Sequence, residues 1–484
     1  MIQTDSIFIG RKKELAALND LLAKKIASLV VIKGRRRIGK SRLIQEFAKN
    51  KKFFIFSGIP PLQQTTAQSQ RNEFTKQLSA QTSCPEVQVD DWNKNFLLLN
   101  KEVQSQKSSI IVLLDEISWM GSKDPDFLGK LKNAWDNYFK KNPKLILILC
   151  GSVSSWIQKN IINSTGFFGR IALKCTLEEL SLPESNALIE SIGFKRSSFE
   201  KFMLLAITGG IPWYIELINP AYSANENIQK LCFEKDGILV DEFKFIFQDL
   251  FKRRANICKK IVTNLAKGPL ERSKLITLLK YPKSGSLNEY LEDLLTSGFI
   301  SQDHIWSIKS GLSITLNRFR LKDNYLRFYL KYIATNLDKI NKNQFSNTIT
   351  SSLPNWNSII GFQFENLILN NRHLVYQQLG IKPEEIVYDN PYFQRNNSKQ
   401  QGCQIDYLIQ TRHNTLFVCE IKFSKTEIPF TIVNELKTKI SKLVLPKGFA
   451  CLPILINING VNESVHEANY FFKIINFSDL LYLT

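Results

Sequence analysis

The chain has 484 residues, 44% of them hydrophobic and 22% charged, a length that exceeds what one core supports and predicts about three domains. No apolar run approaches the roughly 18 residues of a membrane helix, the N-terminus lacks an apolar signal core, and eight cysteines in no C-x-x-C pair with four scattered histidines argue against a zinc site, so a cytoplasmic chain with reduced thiols is expected. The formal net charge of +20 fits either a polyanion partner, nucleic acid first, or a lysine-rich solvated surface.

Residues 28–33 form a short apolar run that predicts a buried parallel strand, and residues 40–49 predict a helix with Leu43, Ile44, Phe47 and Ala48 on one face. Between them Gly34, Arg35, Arg36, Arg37, Ile38, Gly39, Lys40 and Ser41 spell G-x-x-x-x-G-K-S. Glycines let such a loop curl so that its N–H groups face phosphate oxygens, and the following helix adds its positive end. The expected ligand is ATP with Mg²⁺: Lys40 reaches the β- and γ-phosphates, Ser41 ligates the metal, and Arg42 belongs to the same binding set. Further strand-like runs at 53–56, 110–114, 145–150 and 171–173, with helical stretches between them, predict an α/β domain with a mostly parallel sheet. The run at 110–114 ends in Asp115 and Glu116, at the sheet edge where ligands of open α/β folds sit. Asp115 is expected to hold Mg²⁺ and Glu116 to orient and deprotonate water; the plain alternative is a strand meeting a polar loop. The strand at 145–150 leads to Ser152, a candidate γ-phosphate sensor as in many P-loop ATPases. Arg170 either supplies charge to the transition state or makes a structural salt bridge.

From 183 to about 236 the pattern is helical, broken by Gly209-Gly210-Ile211-Pro212, and predicts a small helical domain. Helices are then expected at 257–266, 272–279 and 286–297, the third after a turn at 281–285. A hairpin from about 298 to 308 follows, and together these suggest a winged helix-turn-helix. Residues 251–330 hold 15 Lys or Arg against 6 Asp or Glu, an excess of +9. Residues 336–357 are rich in Asn and Ser and read as a linker, before a helix near 361–370 and strands at 404–409 and 416–423.

Taken together these residues resemble the archaeal-type AAA-like ATPase family within the signal-transduction ATPases with numerous domains. The resemblance starts at Phe8-Ile9-Gly10-Arg11-Lys12-Lys13-Glu14-Leu15, similar to the family's F-x-G-R-x-x-E-L box. It continues through the P-loop, Leu113-Leu114-Asp115-Glu116, Gly151-Ser152 and Phe168-Gly169-Arg170. Gly209-Gly210-Ile211-Pro212 is similar to its G-x-P motif, which implies that Gly210 and Pro212 approach the nucleotide from a helical lid; a simple helix break is the alternative. The segment 318–328 resembles the one that closes the family's winged helix.

The last domain resembles the PD-(D/E)xK nuclease-like domain commonly fused to these ATPases, on Glu365, Asp406 and Glu420-Ile421-Lys422. Strand alternation supports this: Glu420 and Lys422 share one face while Cys419 and Ile421 turn into the core. Asp406 on a neighbouring strand would approach Glu420, giving an oxygen-rich Mg²⁺ site, with Lys422 positioning water and Glu365 completing or backing the metal shell. The family's leading proline is absent, since Gln404-Ile405 precede Asp406. An exposed edge-strand Glu/Lys pair, or a nuclease fold that has lost activity, is the alternative. The expected architecture is a P-loop core over 1–178, a helical lid over 179–238, a winged helix over 239–335, a linker over 336–358 and a nuclease-like domain over 359–484. The expected activity is ATP hydrolysis governing action on DNA, with no membrane association and an oligomer admitted. The alternatives are a signalling or defence switch with a non-catalytic last domain, and a winged-helix DNA-binding regulator.

Overall fold

A computed structural model of the chain describes residues 8–251, 254–281, 286–345, 349–398 and 400–483. Residues 282–285 of the expected turn and 346–348 of the expected linker lie outside them. The chain divides into two compact units, Met1–Glu178 with Thr296–Gly298, and Glu179–Leu295 with Phe299–Thr484.

The first unit is built on five parallel strands: β1 (Ser28–Lys33), β2 (Lys52–Ser57), β3 (Ile110–Asp115), β4 (Leu145–Gly151) and β5 (Ile171–Thr176), in the order β2-β3-β4-β1-β5. Strands β1 and β4 are buried along their whole length, as continuous apolar runs between helical layers must be. The edge strand β5 instead alternates between half-buried and exposed positions. One side of the core is an aromatic cluster, in which Phe56 stacks on Phe74 at 4.3 Å and Trp92 meets Phe127 edge-on at 4.8 Å. Since β4 lies between β1 and β3, the loop after β1 and the ends of β3 and β4 gather at one carboxyl edge.

The second unit begins with the helices Leu182–Ser191 and Ser198–Thr208, each started by a serine N-cap. The helices Ala255–Leu265, Arg272–Leu279 and Ser286–Thr296 lead to an antiparallel hairpin, β6 (Ile300–Ser307) and β7 (Leu312–Leu321). Within 336–358, the helix Leu337–Asn341 and the start of the helix Trp356–Asn370, ahead of the expected 361, stand where a linker was expected. The last sheet comprises β8 (Ile386–Gln394), β9 (Cys403–Thr411), β10 (Thr415–Lys422), β11 (Ala450–Asn457) and β12 (Lys473–Asn476), in the order β12-β11-β10-β9-β8. Strand β10, which carries Glu420 and Lys422, is therefore central, and the edge-strand alternative for that pair is overturned.

The β6–β7 hairpin packs on this sheet rather than facing solvent with both sides. Trp306 stacks on Tyr388 at 5.1 Å and donates its indole N–H to Gln410 Oε1 at 2.5 Å, and Gln410 donates back to the Ile308 carbonyl at 2.9 Å. Ile305, Trp306 and Ile308 join the core of the last sheet.

Candidate functional site

Strand β1 delivers the chain to Gly34, where a Cβ would stand 2.7 Å from the Leu177 carbonyl oxygen, so the loop can pass there only as glycine. Gly39, at φ 90°, then turns the loop into the helix Lys40–Ala48. Arg11, from the N-terminal box, is buried and braces the loop by donating to the carbonyls of Ile38 at 3.2 Å and Glu178 at 2.6 Å. Lys40 is 7% exposed, and its ammonium donates to the carbonyls of Gly34 (2.9 Å) and Arg35 (3.0 Å). A buried ammonium held on carbonyls of its own loop suits a phosphate group.

Ser41 Oγ donates to Asp115 Oδ2 at 2.9 Å, which joins the helix after the P-loop to the end of β3. A hydroxyl paired with a carboxylate is a fitting oxygen donor set for Mg²⁺. Glu116, next along, adopts φ 49° and ψ 47°, and one oxygen of its half-buried carboxylate accepts from the Ser152 amide (3.1 Å) and hydroxyl (2.9 Å). Burial raises the Glu116 pKa, opposed by Lys40 and by the Ser152 donors. Ser41, Asp115, Glu116, Ser152 and Lys40 are thus brought together. Ser152 meets Glu116 directly, a contact the sequence did not suggest.

Arg170 is elsewhere engaged. Its Nε and terminal nitrogen both donate to Asp136 at 2.9 Å, and this two-pronged pair, with Lys132 adding to it, holds the Asp136 carboxyl well below the usual range. In the second unit, a Cβ on Gly210 would meet the Leu180 carbonyl oxygen at 2.2 Å, and Pro212 opens the helix Pro212–Glu216. Both residues therefore have a local backbone reason to be what they are.

A second set of titratable groups lies on the last sheet. Asp406 Oδ2 accepts from the Ile421 amide at 3.0 Å, and Glu420 is 3% exposed. Its cation is not Lys422 but Lys439, on the helix Thr431–Lys442, whose ammonium stands 2.5 Å from Glu420 Oε2 and 3.8 Å from Asp406 Oδ1. Lys422 donates instead to Glu435 at 3.0 Å. Burial raises the pKa of Glu365, Asp406 and Glu420 alike, and Asp406 adds repulsion to the other two. A gap of about 20 Å³, room for about one water, separates Glu365 and Asp406 from Arg318 and Arg320 of β7. Among the described residues, no group of three or more His, Cys, Asp or Glu side chains is arranged to hold a metal ion. Lys422 acts on Asp406 and Glu420 at longer range, but its direct partner is Glu435, and the contact expected of it is made instead by Lys439 from the helix Thr431–Lys442.

Among the described residues no helix is long and apolar enough to cross a membrane. An uncharacterized protein of Methanocaldococcus jannaschii is 24% identical over 362 residues, 75% of this chain and 76% of that protein. An uncharacterized ATP-binding protein of the same organism is 44% identical over 46 residues, 10% of this chain and 78% of that one. Among solved structures, a Walker-type ATPase of Pyrococcus abyssi covers 67% of this chain and 96% of its own at 18% identity and a TM-score of 0.48. Residues 8–218 match the model of a family described as an ATPase domain predominantly from Archaea.

Proposed function

We propose that the first unit hydrolyses ATP with Mg²⁺, with Glu116 orienting and deprotonating the attacking water, and that the nucleotide state governs how the second unit acts on DNA. The observation that supports this reading best is the continuous polar run of Ser41, Asp115, Glu116 and Ser152. Lys40 and the loop from Gly34 to Gly39 hold the phosphates. Ser41 and Asp115 hold Mg²⁺, which when bound offsets phosphate charge. Ser152 ties up one oxygen of Glu116 and leaves the other for water. For Arg170 to serve the transition state it must first leave Asp136, and Gly210 and Pro212 are expected to approach the nucleotide from the helical lid. Glu116→Gln tests the assignment: ATP should still bind while turnover stops, and wild-type turnover in that variant would refute it.

In the second unit, the helices and hairpin of 239–335 serve as a winged helix that holds DNA through the +9 excess of residues 251–330, and 359–484 serves as a nuclease-like domain. Glu365, Asp406 and Glu420 would serve as its metal ligands only if Lys439 left Glu420, and Lys422 would position water only if it left Glu435. Cleavage of DNA in Mg²⁺ or Mn²⁺ that is lost in Asp406→Ala, with ATP turnover intact, is the expected result. A second reading, a nucleotide-controlled switch with a non-catalytic last domain, is favoured by the Lys439–Glu420 pair, which occupies with an ammonium the carboxylate a metal would need. A wild type inert on DNA and RNA with both metals would establish it over the first.

A further inference from the structure

A cleft of about 620 Å³ opens in the second unit beside the segment Tyr329–Ile333 and the start of the helix Trp356–Asn370. Three lysines line it, Lys267, Lys331 and Lys339, and no aspartate or glutamate does. Some solvent-facing lysines elsewhere find carboxylates within their own helix turn: Lys342 meets Asp338 at 2.8 Å, Lys94 meets Asp90 at 2.8 Å and Lys230 meets Glu234 at 3.5 Å. Among the described residues the three cleft lysines make no such pair. Lys331 is half-buried, and burial, Lys267 and Arg327 all push its ammonium towards the neutral form. Arg327, itself buried, lies 5.4 Å over the ring of Phe362, which forms part of the cleft wall. Cations gathered in a cleft without counter-charge repel one another and focus a positive potential into the space between them, and an anion relieves both.

The rest of the lining narrows the choice of anion. Half-buried Phe362 supplies apolar surface, with buried Phe345 also in the wall, and Asn355 and Ser358 supply side-chain donors, while the Ser352 hydroxyl already donates to the Ile349 carbonyl at 2.7 Å. A cleft of this volume is far larger than a lone phosphate needs and falls in the range of small-molecule sites. Cations for a backbone beside rings for a base is the arrangement by which nucleotides and single strands are held without regard to sequence.

We propose that this cleft binds a phosphate-bearing nucleotide ligand, a free nucleotide or a stretch of single-stranded nucleic acid, with Lys267, Lys331 and Lys339 on the phosphates. The site shares no residue with the P-loop or the carboxylate set; Lys267 and Lys331 lie in the segment 239–335 read above as a winged helix, and the proposal stands whether or not the chain cleaves DNA. The test uses the full-length protein and a fluorescein-labelled oligothymidylate, read by anisotropy across a salt series. Thymidine monophosphate and inorganic phosphate serve as competitors. The wild type should bind the strand. Changing Lys267, Lys331 and Lys339 together to Ala should weaken binding at least tenfold and lower the log–log salt slope by about 2, since each single-strand phosphate contact contributes about 0.7. The same three changed to Arg should restore binding, and ATP turnover should stay at the wild-type rate in both. Lys331→Met alone, expected to weaken binding about threefold, serves if the triple alanine variant fails to fold. Displacement of the strand by thymidine monophosphate marks the free nucleotide as the natural source, and displacement by longer strands alone marks nucleic acid. The proposal falls if the wild type binds neither probe at about 50 mM salt, if the triple alanine variant keeps affinity and slope, or if inorganic phosphate competes as well as the nucleotide.

Discussion

Glu116 sits at φ 49°, a left-handed conformation that costs a side-chain-bearing residue about 1–2 kcal/mol and is retained where surrounding structure demands it. Here the demand is legible, because that conformation turns the carboxylate at the end of β3 across to Ser152 at the end of β4. Glu116→Gln should therefore keep the contact to Ser152 and the fold, bind ATP, and lose about 100-fold or more in single-turnover hydrolysis. Lys40→Ala should instead weaken ATP binding, measured by titration calorimetry. Burial raises the Glu116 pKa, so the acid limb of the turnover profile should lie at higher pH than an exposed glutamate would place it. At the other carboxylate set the sign runs through stability. Glu365 keeps its proton in the fold up to about pH 8, whereas in the unfolded chain it releases it near the ordinary value of about 4.3. Stability is thus fully present below pH 4.3 and falls as pH rises towards 8. Glu365→Gln should remove part of that fall and melt above the wild type at pH 8 and beyond, as scanning calorimetry between pH 5 and 9 would show. A wild-type melting temperature that rises with pH across this range would contradict the burial of these acids.

At the scale of elements, the hairpin is held by Trp306, fully buried against the last sheet. Trp306→Ala removes a large ring and leaves Gln410 without its donor, and should cost about 3–5 kcal/mol, seen as a lower melting temperature of the second unit with ATP turnover in the first unit unchanged. The strands of the first sheet were readable in advance because buried parallel strands are continuous apolar runs, and 28–33, 110–114 and 145–150 are such runs. The P-loop and Asp115-Glu116 were readable because their spacing carries their chemistry. The docking of the hairpin was not, since the alternation around Trp306 looks the same whichever partner covers it. Lys439 was equally hidden. It lies on a helix of mixed polarity, and only the packing of that helix over β10 reveals that it meets Glu420 while Lys422 leans towards Glu435. Arg170 and Gly210 show the converse, for each fits a motif and each also has a local structural partner, Asp136 and the Leu180 carbonyl.

For the whole molecule the relevant quantity is charge. The formal +20, with +9 of it in residues 251–330, predicts weak duplex-DNA binding that falls steeply with salt, the log–log slope growing by about 0.9 per phosphate contact. Since one side of the hairpin is committed to the last sheet, its exposed tip, where Leu312 is 68% exposed, and the helices before it are the surfaces left for such contact. Undetectable binding of the full chain to duplex DNA at about 50 mM salt would mean that these helices contact protein instead.

The strand order of the first sheet also bears on how the chain is made. β1 and β3 are separated by β4, which is synthesised after both, so until residues 145–151 emerge from the ribosome the two earlier strands lack the neighbour that joins them. A nascent chain at that stage presents two apolar strands with open hydrogen-bonding edges, the condition under which intermediates aggregate or recruit chaperones. The nucleotide pocket cannot exist before that insertion, because Ser41 and Asp115 belong to the two halves that β4 bridges. Acquisition of ATP binding by ribosome-bound chains of increasing length should accordingly be abrupt, and its threshold would mark the moment at which the first unit commits to its fold.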